Sequence, residues 1–230
     1  MIFFAIAGAL TTLVIVLLLF YPGELSWVSP KGTRWLYDKG AKSYETKWQR
    51  HDYTPYDGLI ALAASSLQPS PKPLQVLDLC CGTGRATLVA SRTLGSQAGY
   101  TAVDFSPGML ASLKSQIDPL GHEHSPDIKI VQADVHDWLR GTASRFDLLL
   151  FMEAGEFLPQ FTEVIARLGP VCNAGGFLVM TKPAGLWSLC FPGRAQTRSQ
   201  LTAHLHKAGF GDVKFTAWRK RYELLTARKN

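Results

Sequence analysis

From residue 70 onward, the hydrophobic positions form short apolar runs separated by stretches with a helical period. The runs predict seven β-strands, at 74–80, 100–104, 128–133, 146–152, 175–182, 213–218 and 221–228. Helices are predicted at 84–94, 107–117, 157–168 and 198–208, the third of them stopped by Gly169 and Pro170. Because apolar strands alternate with helices, we predict an α/β fold with a mostly parallel sheet covered on both faces. Only Arg219 and Lys220 join the last two strands, so this pair is predicted to be antiparallel.

A different pattern occupies the N-terminus. Residues 2–20 form a charge-free apolar run whose only polar members are Thr11 and Thr12. As a helix with ~1.5 Å rise per residue, this run is ~28 Å long, close to the ~30 Å of a bilayer core. We therefore predict a transmembrane anchor over residues 1–22. A buried soluble helix and a cleaved signal peptide are the alternatives, but no Lys or Arg precedes the run and no small-residue cleavage site follows it.

The positive charge of the chain is concentrated in two places. The 230 residues carry a net charge of +6, with +4 in residues 31–50 and +5 in residues 214–230. The positive-inside rule then predicts a single-pass protein with its N-terminus outside and its remaining residues in the cytoplasm. Anionic lipid explains basic charge beside an anchor better than nucleic acid does, so no nucleic-acid partner is expected.

Composition narrows the function classes further. Hydrophobic residues make up 47% of the chain and charged residues 18%, which excludes disorder and fibrous repeats. The four cysteines include the adjacent pair Cys80 and Cys81. This pattern does not build a disulfide scaffold and is typical of a reducing compartment. Packing in a tight turn is the simplest role for the pair, and we predict no metal site.

Acidic residues stand at the ends of three predicted strands. Asp78 lies at the end of the first, Asp104 ends the second, and Asp134 follows the third. Ligands of such sheets bind at the carboxyl ends of the strands, so these acids predict a ligand with hydroxyl and amino donors. Gly82 and Gly84, after the first strand, let the backbone approach that ligand and turn tightly into the next helix.

Two cofactor classes compete for this edge of the sheet. A dinucleotide site requires G-x-G-x-x-G, whereas residues 82–87 read GTGRAT and lack the third glycine. Asp104 follows Gly84 by 20 residues, so the spacing of the acid fits a dinucleotide site as well. Asp78 decides between them, because a carboxylate there would repel a pyrophosphate but could meet a cationic ligand.

The motifs at the strand ends resemble those of a known family. VLDLCCGTGRA resembles motif I of class I S-adenosylmethionine (SAM) methyltransferases, YTAVDFSPGML resembles the next motif, and VQADVHDW the third. The resemblance covers residues 35–230 and implies a Rossmann-like, seven-stranded, mostly parallel sheet with an antiparallel C-terminal strand. It also implies SAM as cofactor and methyltransferase activity. The domain organisation becomes an anchor at 1–22, a juxtamembrane lid region at 23–70 and a SAM-binding domain at 71–230.

The resemblance also implies roles for individual residues. Asp104 would accept both ribose hydroxyls, Asp134 would take the adenine amino group, and Asp78 would act near the amino group of the methionine part. For Asp104 and Asp134, a capping role is the alternative. Cys80 stands where the family most often has glycine, although some quinone-type methyltransferases have a similar LCCG run. The other implied cofactor contacts are Gly82, Gly84, Phe105, Met109 and Val135.

A second resemblance lies before the sheet. LYDKGAKSYETKW, at 36–48, resembles the YDxxAxxYD opening of ubiquinone and menaquinone methyltransferases, in which this helix covers the cofactor. Tyr37 and Tyr44 match the motif, whereas Glu45 replaces its second acid. The two tyrosines are seven residues apart and therefore lie on one helix face, where cofactor contact and simple packing are both open.

The chemistry of the acceptor side is less specific. Methyl transfer from a sulfonium is an in-line displacement, so positioning and exclusion of water can supply most of the catalysis. Glu153 and Glu156 are the candidate catalytic residues, because family members place acceptor-side residues after the fourth strand. His136 and Asp137 are further candidates.

The apolar loop at 183–195 allows three interpretations. It could cover an acceptor pocket, dip into a membrane or pack under the C-terminal helix. Together with the anchor, it predicts a lipophilic, membrane-associated acceptor of the quinone, isoprenoid, pigment or lipid type. The alternative function is a non-catalytic, methyltransferase-like subunit or assembly factor of a membrane protein complex.

Overall fold

The computed structural model describes residues 2–20, 29–47, 54–67, 72–117 and 127–230. The strands of these residues are β1 Leu74–Leu79, β2 Ala98–Asp104, β3 Ile128–Gln132, β4 Phe146–Phe151, β5 Cys172–Pro183, β6 Phe210–Arg219 and β7 Tyr222–Lys229. The helices are α1 Ile2–Phe20, α2 Pro30–Lys47, α3 Thr54–Ser66, α4 Arg85–Leu94, α5 Pro107–Ile117, α6 Val135–Gly141, α7 Phe161–Val171 and α8 Arg198–Lys207.

The described strands form one sheet in the order β3-β2-β1-β4-β5-β7-β6. Neighbouring strands from β3 to β5 run parallel, and β7 is antiparallel to both β5 and β6. The predicted mostly parallel sheet and the antiparallel final pair are therefore confirmed. In the register, Asp78 lies beside Ala102 and Asp104 beside Gln132, which brings the carboxyl ends of three strands to one edge.

Alternation along the strands builds a core on each face of the sheet. Val76 packs with α3 and α4 on one face, whereas Leu77 packs with α6, α7 and α8 on the other. Leu148 and Leu149 divide between the two faces in the same way. Side chains of successive strand residues point to opposite faces, so a continuous apolar run is the pattern of a doubly covered sheet.

The helix predicted at 157–168 differs from the observed one at both ends. A 3-10 turn at Gly155–Phe157 precedes it, α7 begins at Phe161, and Pro170 lies inside the helix. Pro170 lies in the last turn, and Cys172 caps the end by donating its backbone N–H to the oxygens of Leu168 and Gly169. Gly169 does not stop the helix. A Cβ there would lie 2.1 Å from the backbone oxygen of Ala208, so the glycine allows this close contact.

The N-terminal apolar run forms α1, as the sequence predicts. Phe3 and Phe4 are 88% and 86% exposed on it. Among the described residues, no helix has the length and apolar character needed to cross a membrane. The prediction of a transmembrane anchor over residues 1–22 is therefore not supported by the structure. Part of the predicted lid region, namely residues 23–28, 48–53 and 68–70, lies outside the described residues.

Candidate functional site

A cleft opens at the carboxyl ends of β1 to β4, between this edge of the sheet and helices α2 and α3. Its cavity volume is about 160 Å³, and the space that also takes in the open mouth is about 1180 Å³. The predicted site residues that line it are Tyr37, Tyr44, Asp78, Cys80, Gly82, Asp104, Phe105, Asp134, Val135 and Glu153. Gly84, Met109 and Glu156 are not among the described residues that line it.

The loop after β1 turns three times through left-handed backbone conformations. Cys80 has φ 55°, Gly82 has φ 55° and Gly84 has φ 83°. This conformation favours glycine, which explains why a cysteine at position 80 is unusual. A Cβ on Gly84 would lie 2.2 Å from Cδ1 of Leu113, so Gly84 serves the packing of the loop against α5 behind the cleft.

Asp104 is buried at the end of β2 and holds the glycine loop. Its Oδ2 accepts the backbone N–H of Gly82 at 2.8 Å, and its Oδ1 accepts that of Ser106 at 2.9 Å. Burial raises the pKa of this carboxyl, and hydrogen bonds from Ser106, Gly82 and Phe105 act in the opposite direction. A carboxylate oxygen can accept more than one hydrogen bond, so Asp104 retains acceptor capacity for hydroxyl groups in the cleft.

Asp78 is 2% exposed and anchors the start of α4. Its Oδ2 accepts the backbone N–H of Thr87 at 3.0 Å and the Thr87 hydroxyl at 2.6 Å. Burial raises the pKa of Asp78 to about 7, opposed by the Thr87 hydrogen bonds and assisted by the negative charge of Asp104. A cation in the cleft would favour the ionised form, so the site is suited to an ammonium group.

Asp134 combines a capping role with a place in the cleft. It is the N-cap of α6, and its Oδ1 accepts the backbone N–H of His136 at 2.8 Å. The residue is exposed and lines the cleft, and its neighbour Val135 is buried beside it. The capping alternative is thus realised, and it leaves the second carboxylate oxygen of Asp134 without a role in this cap.

Helix α2 covers the cleft with its two tyrosines. The ring of Tyr37 lies 6.1 Å from that of Phe105 and 6.4 Å from that of Tyr44. The guanidinium of Arg85 lies 5.3 Å from the Tyr44 ring centroid. Both tyrosines pack and both line the cleft, so the two roles left open by the sequence coexist.

Asp38 fastens α2 to the strand-end loop, a role that the sequence analysis missed. Its Oδ1 accepts the Ser106 hydroxyl at 2.6 Å and the backbone N–H of Gly108 at 3.2 Å. A Cβ on Gly108 would lie 2.9 Å from the backbone oxygen of Asp38, so a glycine is needed for this approach. Met109 is buried and donates its backbone N–H to the Ser106 hydroxyl. It supports the loop from behind.

Glu153 faces the cleft from the end of β4. Its Oε1 accepts from Nη1 of Arg219 at 3.1 Å and from the Tyr56 hydroxyl at 3.4 Å. Its backbone has φ 52°, and its N–H donates to the Thr181 hydroxyl at 2.6 Å. Burial, followed by the charge of Glu153, raises the pKa of Tyr56, so this phenol stays neutral.

Glu156 occupies a different environment from Glu153. It is 1% exposed and accepts a hydrogen bond from the buried Tyr222 hydroxyl. Burial and the charge of Glu156 raise the pKa of Tyr222, which keeps the phenol in its donating form. The two candidate catalytic acids are therefore separated by the fold, and the structure places only Glu153 at the cleft.

The apolar loop after β5 has a buried and an exposed side. The rings of Trp187 and Phe191 pack edge-to-face at 5.2 Å, and Phe191 packs in the same manner on Phe157 at 5.3 Å. Phe157 lines the cleft. Leu186 and Leu189 point away and are 84% and 72% exposed. Part of this loop therefore supports the cleft wall, while the two leucines face outward.

The other polar candidates do not form a second site. Asp137 is exposed and pairs with Arg140 on the surface of α6. In the part of the chain that the structure describes, no three His, Cys, Asp or Glu residues are placed to hold a metal ion.

Comparison with known proteins finds methyltransferases among the similar proteins. Residues 76–176 match the family model described as a methyltransferase domain. Trans-aconitate 2-methyltransferase of Deinococcus radiodurans is 31% identical over 140 residues, which are 60% of this chain and 50% of that protein. Demethylmenaquinone methyltransferase of Staphylococcus aureus is 28% identical over 108 residues, which are 47% of this chain and 42% of that protein. The chain thus spans about half the length or less of these curated relatives.

A solved structure shares the fold over most of its length. Magnesium protoporphyrin IX methyltransferase of Synechocystis, crystallised with bound SAM, superimposes with a TM-score of 0.59 at 15% identity. The alignment covers 88% of this chain and 92% of that one. At this identity, the likeness establishes the architecture of the sheet and its helices.

Proposed function

We propose that this chain, whose residues 76–176 match a methyltransferase-domain family model, is a class I SAM-dependent methyltransferase that transfers a methyl group to a small lipophilic acceptor held at a membrane. S-adenosylmethionine is the cofactor of the domain. The observation that carries the proposal is the meeting of Asp78, Asp104 and Asp134 in one cleft, with Glu153 on the side of β4.

The three acids provide hydrogen-bond acceptors for three different parts of the cofactor. Asp78, buried and with a raised pKa, would hold the ammonium group of the methionine part, where it gains a favourable charge contact. Asp104 would accept ribose hydroxyls with the lone pairs that Gly82 and Ser106 leave available. Asp134 and Val135 would border the adenine.

The bound cofactor supplies a methyl group on a sulfonium, which a nucleophile can take by in-line displacement. The protein positions the two reactants and excludes water. Helix α2 covers the cleft through the Asp38 contact, and Tyr37 and Tyr44 close it from above. This arrangement requires no further chemical group for a nucleophile that carries no proton.

For an acceptor that must lose a proton, Glu153 is the residue placed to receive it. Arg219 and Tyr56 hold one of its oxygens, which fixes the carboxylate at the cleft wall. The neutral Tyr56 hydroxyl donates its one proton to Glu153, and its oxygen can accept a hydrogen bond from a polar group of the acceptor. We therefore assign the acceptor side to Glu153 and Tyr56, and no longer to Glu156.

The lining of the cleft beyond β4 supports a lipophilic acceptor. Met152, Phe157, Leu158 and Pro159 form an apolar wall there. Two of the compared proteins are named for demethylmenaquinone and magnesium protoporphyrin IX, which are largely apolar molecules. A third is named for trans-aconitate, a small polar acid, so the apolar wall of this chain carries the argument.

The membrane part of the proposal rests on α1. Its described side chains are exposed and, apart from Thr11 and Thr12, apolar, with Phe3, Phe4, Ile6 and Leu10 each more than half exposed. A helix that is apolar on all sides favours lipid over water. We propose that α1 attaches the protein to the cytoplasmic face of a membrane, where anionic lipid would attract the predicted basic segments.

Methyl-labelled SAM tests this function. Membranes that contain the full chain are incubated with the label and extracted with organic solvent, and the labelled molecule is identified. We expect a labelled lipophilic product with the wild type and at least a tenfold lower rate with Glu153→Gln if the acceptor loses a proton. SAM binding without any labelled product would favour the alternative, a non-catalytic subunit or assembly factor of a membrane complex.

A further inference from the structure

We propose that Leu186, Leu189, Lys220 and Arg221 form a docking surface for an anionic lipid bilayer, called here the leucine–arginine patch. Outside α1, Leu186 and Leu189 are the most exposed large hydrophobic side chains of the described residues, at 84% and 72%. Exposed apolar side chains that lie together, with charged residues around them, mark interaction sites more often than scattered ones do.

The two leucines are presented on the same side of a short helix. They stand three residues apart in the 3-10 helix Gly185–Cys190. In a 3-10 helix with ~3 residues per turn, side chains at this spacing eclipse one another. Trp187 lies between them in sequence and packs inward on Phe191, which fixes the turn and leaves the leucines outside.

The basic part of the patch comes from the tip of the β6–β7 hairpin. The backbone N–H of Ala184 donates to the backbone oxygen of Arg221 at 2.9 Å, which joins the start of the leucine turn to the hairpin. The Arg221 guanidinium also lies 4.5 Å from the Trp187 ring centroid. Lys220 and Arg221 are both exposed. Two leucines and two cations therefore share one surface.

The combination of two leucines and two cations indicates that the partner of the patch is an anionic bilayer. Leucine side chains are stabilised in the acyl region of a bilayer, and Lys or Arg beside them is attracted to anionic headgroups. Residues 184–198 contain two arginines and no acid, so the surrounding loop does not repel such headgroups. Only the leucines would interact favourably with a neutral bilayer, whereas all four side chains would interact with an anionic bilayer.

The leucine–arginine patch is connected to the wall of the cleft through aromatic side chains. Phe191 lies between Trp187 and Phe157, and Phe157 lines the cleft. Trp187 and Phe191 thus connect the patch to the wall assigned to the acceptor. Docking here would turn the mouth of the cleft toward the bilayer, so that a lipophilic acceptor enters without crossing water. This consequence rests on the proposed function, whereas the docking surface itself does not.

A fluorescent probe on the full-length protein tests the patch separately from turnover. Leu189→Cys, in a Cys190→Ser background, carries an environment-sensitive dye. Vesicles are made of phosphatidylcholine with or without phosphatidylglycerol, and flotation shows whether the protein is bound. We expect a blue shift and quenching by brominated acyl chains on the anionic vesicles. The double variant Lys220→Glu/Arg221→Glu should reduce this response at least tenfold while SAM affinity stays within twofold.

The matched control carries the dye at Ser115→Cys. Ser115 is exposed on α5, which packs on β2 and β3 at the opposite edge of the sheet from β7. This probe should not respond to vesicles. Unshifted emission from the Leu189→Cys probe on floated protein, or an equal response to neutral vesicles, would overturn the proposal. A concentration-dependent shift without vesicles would also overturn it, in favour of an interface between copies of this chain.

Discussion

The backbone N–H of Gly82 donates a hydrogen bond of 2.8 Å to Oδ2 of Asp104, which joins the loop after β1 to the end of β2. The backbone N–H of Cys81 donates to the oxygen of Val103 beside it. One carboxylate therefore shapes the loop that approaches the cofactor and offers acceptor atoms to the cofactor itself. Substitutions of Asp104 should affect both roles, and the experiments must separate binding from folding.

Asp104→Asn should lower SAM affinity at least tenfold. The substitution removes the charge from hydrogen bonds that are worth ~1.5–3 kcal/mol each when one partner is charged. Isothermal titration calorimetry on the folded variant measures the loss, and circular dichroism checks the fold. Asp137→Asn is the control, because that carboxyl is exposed on α6 and should leave affinity unchanged. Unchanged SAM binding in folded Asp104→Asn, or binding of NAD in place of SAM, would contradict the cofactor assignment.

SAM affinity should rise with pH up to about 7. Burial raises the pKa of Asp78 to about 7, so below this pH the ligand-free protein holds a neutral acid. The ammonium group of SAM favours the carboxylate, and binding must then release a proton. We expect affinity to increase by up to about tenfold per pH unit between about pH 5.5 and pH 7, and to level off above it. Calorimetry in two buffers of different ionisation enthalpy measures the released proton.

Asp78→Asn is the control for this pH dependence. The amide oxygen can still accept from Thr87, so the start of α4 should persist. Affinity in this variant should be low and nearly independent of pH over the same range. A wild-type affinity that does not change with pH, or a variant that keeps the full slope, would show that Asp78 does not face the ammonium group.

Asp38→Ala should loosen the cover of the cleft. It removes the acceptor of the Ser106 hydroxyl and of the Gly108 backbone N–H, which fasten α2 to the strand-end loop. We expect SAM affinity to fall severalfold and hydrogen exchange to accelerate in α2, with α4 unchanged. Lys39→Ala, at the exposed neighbouring position, should do neither. Faster exchange throughout the sheet would indicate general destabilisation and would contradict a local fastening role.

Cys80 tests the cost of a side chain in the glycine loop. Cys80 has a backbone φ of 55°, so Cys80→Gly should relieve ~0.5–1 kcal/mol of backbone strain. The loss of apolar burial should cost a similar free energy, so the stability should hardly change. Cys80→Val should lower the unfolding free energy by ~1–3 kcal/mol, because a β-branched residue is poorly tolerated at positive φ. Urea denaturation of both variants provides the comparison. Equal stability of the two would mean that this backbone conformation carries little strain.

The sequence predicts the sheet and one side of the site well, because both depend on local patterns. Apolar runs locate all seven strands. Because the ends of these strands are then known, the sequence also places the three acids at one edge of the sheet. The predicted end of α7 was wrong because Gly169 has a packing reason that no local pattern contains, namely the close approach of Ala208, and Pro170 lies inside the helix.

The contacts of Glu153 on the acceptor side could not be predicted, because they join distant parts of the chain. Tyr56 and Arg219 meet Glu153 across 97 and 66 residues. Glu153 and Glu156 follow the same strand, and nothing in their spacing shows which one faces the cleft. The positive φ of Glu153 and the 3-10 turn at Gly155–Phe157 direct them to different environments. The role of Asp38 could have been suspected from the sequence, since Asp38 follows Tyr37 in the YDxxAxxYD-like segment at 36–48.

Deletion of residues 1–28 should separate cofactor binding from delivery of the acceptor. Among the residues that the structure describes, the lining of the cleft begins at Pro30, so SAM affinity should stay within about twofold of the full chain. Turnover of an acceptor dissolved in vesicles should fall at least tenfold, because α1 raises the local concentration of the enzyme at the bilayer without touching the chemistry. Detergent micelles that carry the same acceptor should restore much of the rate, since both partners then share one phase.

The decisive comparison for this deletion is full-length against truncated enzyme, each with vesicular and with micellar acceptor. Trp187→Ala in the full-length chain is the companion variant, because it weakens the cleft wall through Phe191 and Phe157 and should impair turnover in micelles as well. Equal rates of the two enzymes on vesicles would mean that α1 does not deliver the acceptor and would strengthen the assembly-factor alternative. Loss of SAM affinity on truncation would mean that the N-terminal segment sets the position of α2, and with it Tyr37 and Tyr44, over the cofactor.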